Sequence, residues 1–533
     1  MRPVDASASK PRSSSTSQNS KPGAPQVFEI DEYRVVGADA LPQIAVEEAV
    51  YPFIGPNRTA DDVEKARAAL ESSYHNKGFL AVNVVIPQQN PQGGIVILKV
   101  TENKVGRLRV VGSRYFDSAS IQKKAASVAE GTLPNFKAVT RDIVALNQWP
   151  DRRVTPALRA GVTPGTVDID LNVEDKLPFH GDVELNNRQS PNTTPLRVNA
   201  TATYDNLWQL GHSFTFSYQV APERPSDAQI FSGSYLARLP DNDFLSILLF
   251  GLTSSSSVAS VGGLNVVGPG QLAGVSAIFT LPTLENFFHT LSVGVDYKRF
   301  GETVVDVTSG FSTPITYVPG IVSYNATWQT EGALTQLTAG ATFGVRGVGS
   351  TPTAYEARRD GASSNFIHFN LDASQLHDLP EGFQLFGRLQ GQYADQPLVS
   401  SEQFSAGGLD TVRGYLESEV LGDDGIAGTV EVRSPNAAPT LQSALTDDAG
   451  APLKFKLFNE LRLYGFVDGA VVSVLQPLPE QQARFGLWSY GVGARIKLTD
   501  YFNAAVALAV PMVTQTYTNA RDPRVLFRVW GEF

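Results

Sequence analysis

The chain has 533 residues and a formal net charge of −10, from 43 lysines and arginines against 53 aspartates and glutamates. An acidic balance of this size argues against a nucleic-acid-binding protein. Charged residues make up 18 % of the chain, below the roughly 25 % typical of soluble domains. Cysteine is absent, which excludes disulfide scaffolds, thiolate zinc sites and thiol catalysis.

The first 27 residues are rich in serine and proline and contain no apolar stretch like that of a secretory signal peptide. We therefore expect residues 1–27 to be disordered, with no signal peptide visible in this chain. No segment approaches about 18 consecutive apolar residues, so the sequence also predicts no transmembrane helix.

Residues 28–176 contain an internal repeat. The segment YRVVGADAL at 33–41 returns as LRVVGSRYF at 108–116, and ILKVTENK at 97–104 returns as IDLNVEDK at 169–176. Such self-similarity indicates two copies of one structural unit in tandem.

Each copy is predicted to be an α+β unit with the order strand, helix, helix, strand, strand. In the first copy, Thr59 can cap a helix whose apolar residues share one face, and LAVNVVIP at 80–87 follows as a strand. LAVNVVIP and its counterpart RVTPALRAG in the second copy are candidate sheet edges. We predict one unit at 28–104 and another at 105–176.

From residue 177 onward, helical patterns stop and apolar and polar residues alternate. In HSFTFSYQV at 212–220 and WSYGVGARIKL at 488–498, large apolar side chains fall on one face and small or polar ones on the other. A membrane β-barrel has this pattern, because one face of each strand meets lipid and the other faces a water-filled lumen. A soluble β-sandwich seldom sustains the pattern over so many residues. The sequence predicts a membrane β-barrel of about 16 antiparallel strands over 177–533. The strands are expected to start near 179, 195, 212, 228, 243, 272, 289, 316, 334, 364, 382, 427, 455, 486, 502 and 525.

The lengths of the connections support an outer-membrane barrel. If the repeat units lie in the periplasm, connections after odd-numbered strands lie outside the cell, and many of these are long while most others are short. The longest predicted external loop is 395–426. The connection 434–454 is long where a short turn is expected, so either it is an insertion or the strand count slips there.

Arg413 lies near the middle of loop 395–426, in the stretch SAGGLDTVRGYLESEV. Alternation along NELRLYGFVDGAVVSV places Asp468 inside the barrel, beside glycines that leave room for an approaching group. If the loop folded back into the lumen, Arg413 could bind Asp468 through two parallel hydrogen bonds away from bulk water. Alternatively, Asp468 is one of the ordinary polar residues that line the lumen of a barrel and has no special partner. A second VRG triplet, around Arg346, is expected to lie inside a strand.

The chain ends on a strand, in VLFRVWGEF, and its last residue is aromatic. We interpret Phe533 as a C-terminal assembly signal, the alternative being a last strand that happens to end in phenylalanine. The sequence has no nucleophile-elbow, zincin or P-loop motif, and its six histidines lack metal-ligand spacing. It therefore predicts no enzyme, no cofactor and no metal site.

Residues 28–533 resemble the TpsB-type transporters of two-partner secretion, the haemolysin secretion/activation family within the insertase superfamily. EQFSAGGLDTVRGY at 402–415 is similar to the signature of the family's sixth external loop, and GFVDGA at 465–470 resembles its F-x-D-x-G motif. Ala470 stands where glycine is usual in that motif. The matched residues are Val412, Arg413, Gly414 and Tyr415 in the loop motif, and Phe466, Asp468 and Gly469 in the strand motif.

The resemblance implies two periplasmic POTRA domains, a barrel in the bacterial outer membrane, and a loop held inside that barrel by an arginine–aspartate pair. An unfolded exported partner, a TpsA-like β-helical exoprotein, would add as a strand to a POTRA edge and then pass through the lumen. Further implied partners are outer-membrane lipid and, during biogenesis, the barrel assembly machinery and periplasmic chaperones. No nucleic acid is expected. Folding of the cargo outside the cell would supply directionality.

Two other functions stay open from the sequence. The first is an assembly or insertion factor for outer-membrane proteins, from the same superfamily. Two POTRA units rather than a longer array favour secretion over this alternative. The second is a passive porin with periplasmic binding modules, which would leave Arg413 without a role.

Overall fold

The computed structural model describes residues 27–90, 93–147, 149, 151–239, 244–255, 258–261, 264–267, 269–301, 303–305, 310–312, 314–444 and 456–533. The segment predicted to be disordered, 1–27, lies outside these residues except for Val27. The chain divides into two compact units, the first ending at Leu177 and the second spanning Pro178–Phe533. Among the helices that are described, none has the length and apolar character needed to cross a membrane.

The first half of the first unit is an α+β fold. Helix α2 begins at a capping box, in which the Thr59 backbone N–H donates to the Asp62 carboxylate at 2.9 Å. Its buried face packs on a small sheet in which β2 and β4 flank the central β5. The elements are β1 Phe28–Ile30, β2 Glu32–Val36, α1 Gln43–Val50, a 3₁₀ turn Tyr51–Phe53, β3 Gly55–Arg58, α2 Ala60–Asn76, β4 Val82–Val85 and β5 Ile95–Glu102.

The second half of this unit repeats the order strand, helix, helix, strand, strand around a core of its own, without counterparts of the paired strands β1 and β3 among its described elements. Its sheet places β8 between β6 and β7, and Ile121, Leu146 and Leu171 are buried beneath it. Of the two segments proposed from the sequence as sheet edges, the edge strand β4 covers half of LAVNVVIP, and the edge strand β7 covers all but the last residue of RVTPALRAG. The elements are β6 Lys104–Val111, α3 Ser118–Lys124, a 3₁₀ turn Ala126–Val128, α4 Phe136–Leu146, β7 Arg152–Ala160 and β8 Thr166–Asp175.

The second unit is a closed antiparallel barrel, in the strand order β9 to β13, β16, β17, β20 to β23 and β26 to β30, with β30 pairing back to β9. The predicted sixteen-stranded barrel is therefore confirmed. The elements are β9 Phe179–Asn186, β10 Arg197–Leu207, β11 His212–Val220, β12 Gln229–Arg238, β13 Leu245–Ser254, β14 Val258–Val261, β15 Leu264–Val267, β16 Gly270–Thr280, β17 Phe287–Phe300, β18 Thr303–Val305, β19 Gly310–Ser312, β20 Ile315–Thr330, β21 Ala333–Gly349, α5 Pro352–Arg358, β22 Ile367–Asp378, a 3₁₀ turn Pro380–Gly382, β23 Gln384–Ala394, a 3₁₀ turn Ser400–Glu402, β24 Phe404–Ala406, β25 Val420–Gly422, β26 Asp424–Arg433, α6 Ala438–Ala444, β27 Phe458–Ser473, β28 Arg484–Leu498, β29 Phe502–Pro511 and β30 Arg524–Glu532.

Alternation along the strands separates an apolar outer surface from a filled interior, as β27 shows. Leu463 and Val467 are 61 % and 54 % exposed on the outside of the barrel, whereas Phe466 and Asp468 between and beside them are buried. Because side chains of a strand point to opposite faces in turn, a single strand carries both surfaces. An outer apolar surface of this kind matches a lipid-facing wall.

The long connection after β26 is an insertion and not an error in the strand count. It begins with helix α6, while residues 445–455 lie outside the described part of the chain. Asn436 fixes the start of the insertion on β27, because its side-chain oxygen accepts from the Leu461 backbone N–H at 2.9 Å. Strands β26 and β27 pair directly despite the insertion, from Arg433 opposite Tyr464 onward.

Candidate functional site: a loop held inside the barrel

The connection between β23 and β26, residues 395–423, turns inward and packs against the barrel wall; we refer to it as the inserted loop. Its short strands β24 and β25 pair with each other and carry a turn between them, residues 407–418, which we call the tip. The tip is bounded by Gly407 and Gly408 on one side and Ser418 on the other, all with positive φ. A glycine adopts this backbone conformation without strain, so these positions permit the sharp bend that returns the chain.

Arg413 makes the central contact of the tip. Its Nε and Nη2 donate to the two carboxylate oxygens of Asp468 at 2.8 Å each, and its backbone N–H donates to the same carboxylate at 3.0 Å. The Phe466 ring lies 3.5 Å from the guanidinium carbon, which adds a cation–π contact. Arg413 and Asp468 are 5 % and 1 % exposed, so this bidentate pair is shielded from water.

Glu431 on β26 is a second carboxylate partner of Arg413, which the sequence analysis missed. Its Oε2 accepts from Arg413 Nη1 at 2.9 Å, and its Oε1 accepts from Arg433 and Arg495 at 2.8 Å each. Burial alone would lower the pKa of the Arg413 guanidinium, but its hydrogen bonds to Asp468 and Glu431 and their charges hold that pKa above its ordinary value. The alternation of EVR along β26 could have identified Glu431 as inward-facing.

Positively charged groups outnumber negatively charged groups at this site, and Arg413 is the one that binds both carboxylates. Three guanidinium groups meet two carboxylates, because Arg433 and Arg495 share Glu431 with Arg413. Without the Arg413 side chain, Glu431 would keep two cationic partners, whereas Asp468 would lose both hydrogen bonds from the guanidinium and keep only the one from the backbone N–H of residue 413. The attachment of the tip therefore depends chiefly on Asp468.

The other residues of the predicted loop motif pack around this pair. Val412 is fully buried, and the Tyr415 hydroxyl donates to the Val513 carbonyl at 2.9 Å. Gly414 has a φ of +96°, and a Cβ there would lie 3.3 Å from both Ala509 and Pro511. Glycine is therefore required at 414 by conformation and by close approach to β29.

The strand motif lies directly beneath the tip. Gly469 pairs with Gly428 across β26 and β27. Ala470, which stands where the family's motif has glycine, is buried in one apolar cluster with Val412 and Tyr415. Its methyl group thus packs against the loop motif. Arg346 of the second VRG triplet lies in β21 and is exposed.

Glu402 anchors the base of the inserted loop to the wall. Its carboxylate accepts from Lys298 Nζ at 2.7 Å and from the Tyr317 hydroxyl at 2.5 Å, and it lies 3.1 Å from Nε2 of His368. These three residues belong to β17, β20 and β22, so the base is attached to three different strands. Glu402 is the first residue of the loop signature EQFSAGGLDTVRGY, but the sequence analysis assigned it no partner.

Asp423 anchors the other end of the base. Its carboxylate accepts from Arg359 at 2.6 Å and from the backbone N–H groups of Leu398 and Leu475 at 2.8 and 2.7 Å. Asp423 is fully buried. Both ends of the base are thus fixed by buried, charge-assisted hydrogen bonds, which are stronger than neutral ones.

Phe533, predicted as an assembly signal, lies where the barrel closes. It exchanges backbone hydrogen bonds with Gly181 at 3.0 and 3.1 Å, and its ring covers that glycine. The ring centre lies 5.8 Å from that of Phe179. The last residue therefore extends the pairing between the first and last barrel strands.

We expect Phe533→Ala to lower the amount of assembled barrel, because the closing strand pair loses an aromatic contact but keeps its backbone bonds. The measurement is the heat-modifiable fraction in outer-membrane preparations. Phe502→Ala, another exposed phenylalanine near the same end of the barrel, is the matched control. Equal assembly of both variants and the parent would contradict the role given to Phe533.

A cavity of about 680 Å³ adjoins Arg413 on the lumen side. Basic side chains outnumber acidic ones in its lining, and most of them bind carboxylates nearby, such as Arg388 on Asp372 and Arg528 on Glu184. Apolar side chains such as Leu409 also line it, so the cavity can contact both polar and apolar parts of an extended chain.

Comparisons with known proteins identify the family and the fold of the chain. The model of the haemolysin secretion/activation protein family ShlB/FhaC/HecB matches residues 165–495, and that of the ShlB-type POTRA domain matches 28–103. The outer membrane transporter CdiB of Dickeya dadantii (strain 3937) is 23 % identical over 66 % of this chain and 62 % of its own length. The heme/hemopexin transporter protein HuxB of Haemophilus influenzae (strain 86-028NP) is 21 % identical over 70 % and 66 %. This chain thus spans slightly less than two thirds of either relative.

Solved structures share the fold. CdiB from Escherichia coli matches with a TM-score of 0.63 and 16 % identity, over 98 % of this chain and 93 % of that one. BamA from Haemophilus ducreyi lacking POTRA domains 1-3 matches with a TM-score of 0.56 and 13 % identity, over 95 % and 100 %. Since its family model covers more than half of the sequence, the chain belongs to the haemolysin secretion/activation protein family ShlB/FhaC/HecB.

Proposed function

We propose that this protein is an outer-membrane translocator of two-partner secretion, which binds an unfolded exported protein in the periplasm and passes it through its barrel. The observation that carries the proposal is the tip docked inside the barrel by Arg413, Asp468 and Glu431. A buried, loop-borne ion pair can be broken and remade as the loop moves, which a permanently open pore does not require. Membership of the family and the transporters among its relatives support the same function.

The partner we propose is a TpsA-like, β-helical exoprotein, received by periplasmic POTRA domains at 28–104 and 105–176. Support for the second domain comes from its order of elements, which repeats that of the first. The edge strands β4 and β7 have backbone groups available for an added strand, except at Val154 of β7, whose N–H and C=O bind the Asn147 side chain. Such strand addition recognises an unfolded chain with little demand on its sequence.

Further partners are those of the barrel in its membrane and during its assembly. We assign outer-membrane lipid to its apolar outer surface, and the barrel assembly machinery and periplasmic chaperones to its biogenesis. The sequence contains no nucleotide-binding motif, and we propose no enzymatic activity. Folding of the cargo at the cell surface would then make transport directional.

The proposal is tested by expressing this protein with its genomic neighbours and looking for a large exoprotein among them. The exoprotein is expected to appear in the medium or on the cell surface only when this protein is present. Co-expression of an unrelated barrel is the control. If no neighbouring exoprotein depends on this protein for its release, two-partner secretion is the wrong assignment.

A second candidate function is the assembly of other outer-membrane proteins, because the fold is shared with BamA from Haemophilus ducreyi. That function predicts a different phenotype, in which loss of this protein lowers the folded amounts of several outer-membrane barrels. Quantitative proteomics of the outer membrane distinguishes the two functions. A passive porin is disfavoured, because the docked tip would have no role in a pore that stays open.

A further inference from the structure

The tip is held on a second side by Arg188, which no sequence motif singled out. Arg188 follows β9 by two residues. Its Nη2 donates to Asp410 at 2.5 Å and its Nε donates to Glu417 at 2.9 Å. Both carboxylates belong to the tip, one on each side of Arg413.

Glu417 connects Arg188 to the backbone of the tip. Its carboxylate also accepts from the Leu409 N–H at 3.1 Å, and its own N–H donates to the carbonyl of Gln189 at 3.0 Å. A Cβ on Gly408 would overlap this carboxylate. The two ends of the tip are thus drawn together around one carboxylate, and that carboxylate is attached to the segment after β9.

The segment that bears Arg188 is itself fixed to the last barrel strand. The Asn187 side chain accepts from the Phe527 N–H at 2.9 Å and donates to the Val525 carbonyl at 2.7 Å. These bonds continue the pairing of β9 with β30 beyond the point where the regular ladder ends at Asn186 opposite Arg528. The backbone of Arg188 is therefore held in a defined position where the first and last strands close the barrel.

The two attachments reach different parts of the wall. Arg413 binds carboxylates on β26 and β27, whereas Arg188 projects from the end of β9, and β28, β29 and β30 lie between them in the barrel. The Asp410 side chain is half exposed, and those of Arg188 and Glu417 keep about one fifth of their surface exposed, whereas Arg413 and Asp468 are buried. Water and salt weaken an exposed ion pair far more than a buried one.

We infer that Arg188 is a second positioning residue for the tip, a clasp that holds it against the closing strands of the barrel independently of Arg413. The inference rests on the proposed function, in which the tip leaves its docked position during export. The more exposed clasp opens first, and the buried Arg413 pair opens second. Arg188 acts through Asp410 and Glu417 and does not touch the cargo.

Because the chain lacks cysteine, a single engineered thiol can report the position of the tip. The reporter is Leu409→Cys, since Leu409 is partly buried against the cluster that contains Phe466. Intact cells carrying it are treated with a small charged maleimide. Arg188→Ala is expected to raise the labelling rate about tenfold, as for loss of a charged hydrogen-bond pair. Arg188→Lys is expected to fall between Arg188→Ala and the parent, because it retains the charge but not the two-pronged geometry.

Arg346→Ala is the matched control, because Arg346 is an exposed arginine of β21, which lies eight strands from β9 in the sixteen-stranded barrel. Asp410→Asn combined with Glu417→Gln removes the same ion pairs without altering the segment after β9, and should also accelerate labelling. Heat modifiability verifies that each barrel has assembled. Assembled Arg188 and acceptor variants that label no faster than the control would overturn the inference. Labelling requires no cargo, so this outcome is independent of whether the exoprotein is exported.

Discussion

Arg413→Ala is expected to abolish or strongly reduce export of the partner while the barrel still assembles. The substitution leaves Asp468 buried without the two side-chain hydrogen bonds and the positive charge of Arg413, and removing one member of a buried ion pair costs about 3–5 kcal/mol. The tip then loses its docked state and obstructs the lumen in many positions. Immunoblotting of the exoprotein in the medium measures export, and heat modifiability measures assembly.

Arg346→Ala is the matched control for this experiment. Arg346 stands in the same Val-Arg-Gly context but lies exposed in β21, and its replacement should leave export near the parental level. Undiminished export by an assembled Arg413→Ala barrel would exclude the role assigned to the docked tip.

Reversing both charges, as Arg413→Asp with Asp468→Arg, is expected to restore more export than either single reversal. The structure also predicts why rescue will be incomplete: the new carboxylate at 413 would face Glu431, which now lies 2.9 Å from the Arg413 guanidinium. Adding Glu431→Gln should improve the rescue by removing this repulsion. A double reversal no better than the single ones would count against the pairing as the functional contact.

Removal of residues 28–176 is expected to stop export and leave a heat-modifiable barrel. The two halves of the first unit have hydrophobic cores of their own, and the barrel closes through β9 and β30. Deleting this segment therefore takes away the proposed receptor for the cargo without opening the wall. Export is measured as above, together with the amount of barrel in the outer membrane. Continued export by the shortened protein would refute the assignment of these domains as the receptor.

Much of the fold could be predicted because its determinants are local. The alternation of inward-facing and outward-facing residues can be recognised in the sequence of a single strand. The predicted starts of the barrel strands therefore fall close to the observed ones. The helix after Thr59 was likewise predictable, since a capping residue and one apolar face suffice to define it. The insertion after β26 was ambiguous because loop length alone does not reveal whether a strand is hidden in it.

The site was only partly predictable, because most of its contacts join distant parts of the chain. The loop and strand motifs pointed to Arg413 and Asp468. The partners of Glu402 and Arg188 depend on how the inserted loop folds back, and no local pattern encodes that path. Glu431 is the exception, since it follows the inward alternation of β26 and lies two residues from Arg433.

The anchored base of the inserted loop limits how wide the passage can become. Glu402 and Asp423 fix both ends of the base to the wall, so the moving arm is the tip alone. Half of the tip is roughly six residues, and an extended chain of that length reaches about 20 Å. An arm of this reach can clear a path for one or two extended segments, which lie about 5 Å apart when paired. Under the proposed function, we therefore expect the cargo to cross the barrel as an extended chain and to fold only after it has left.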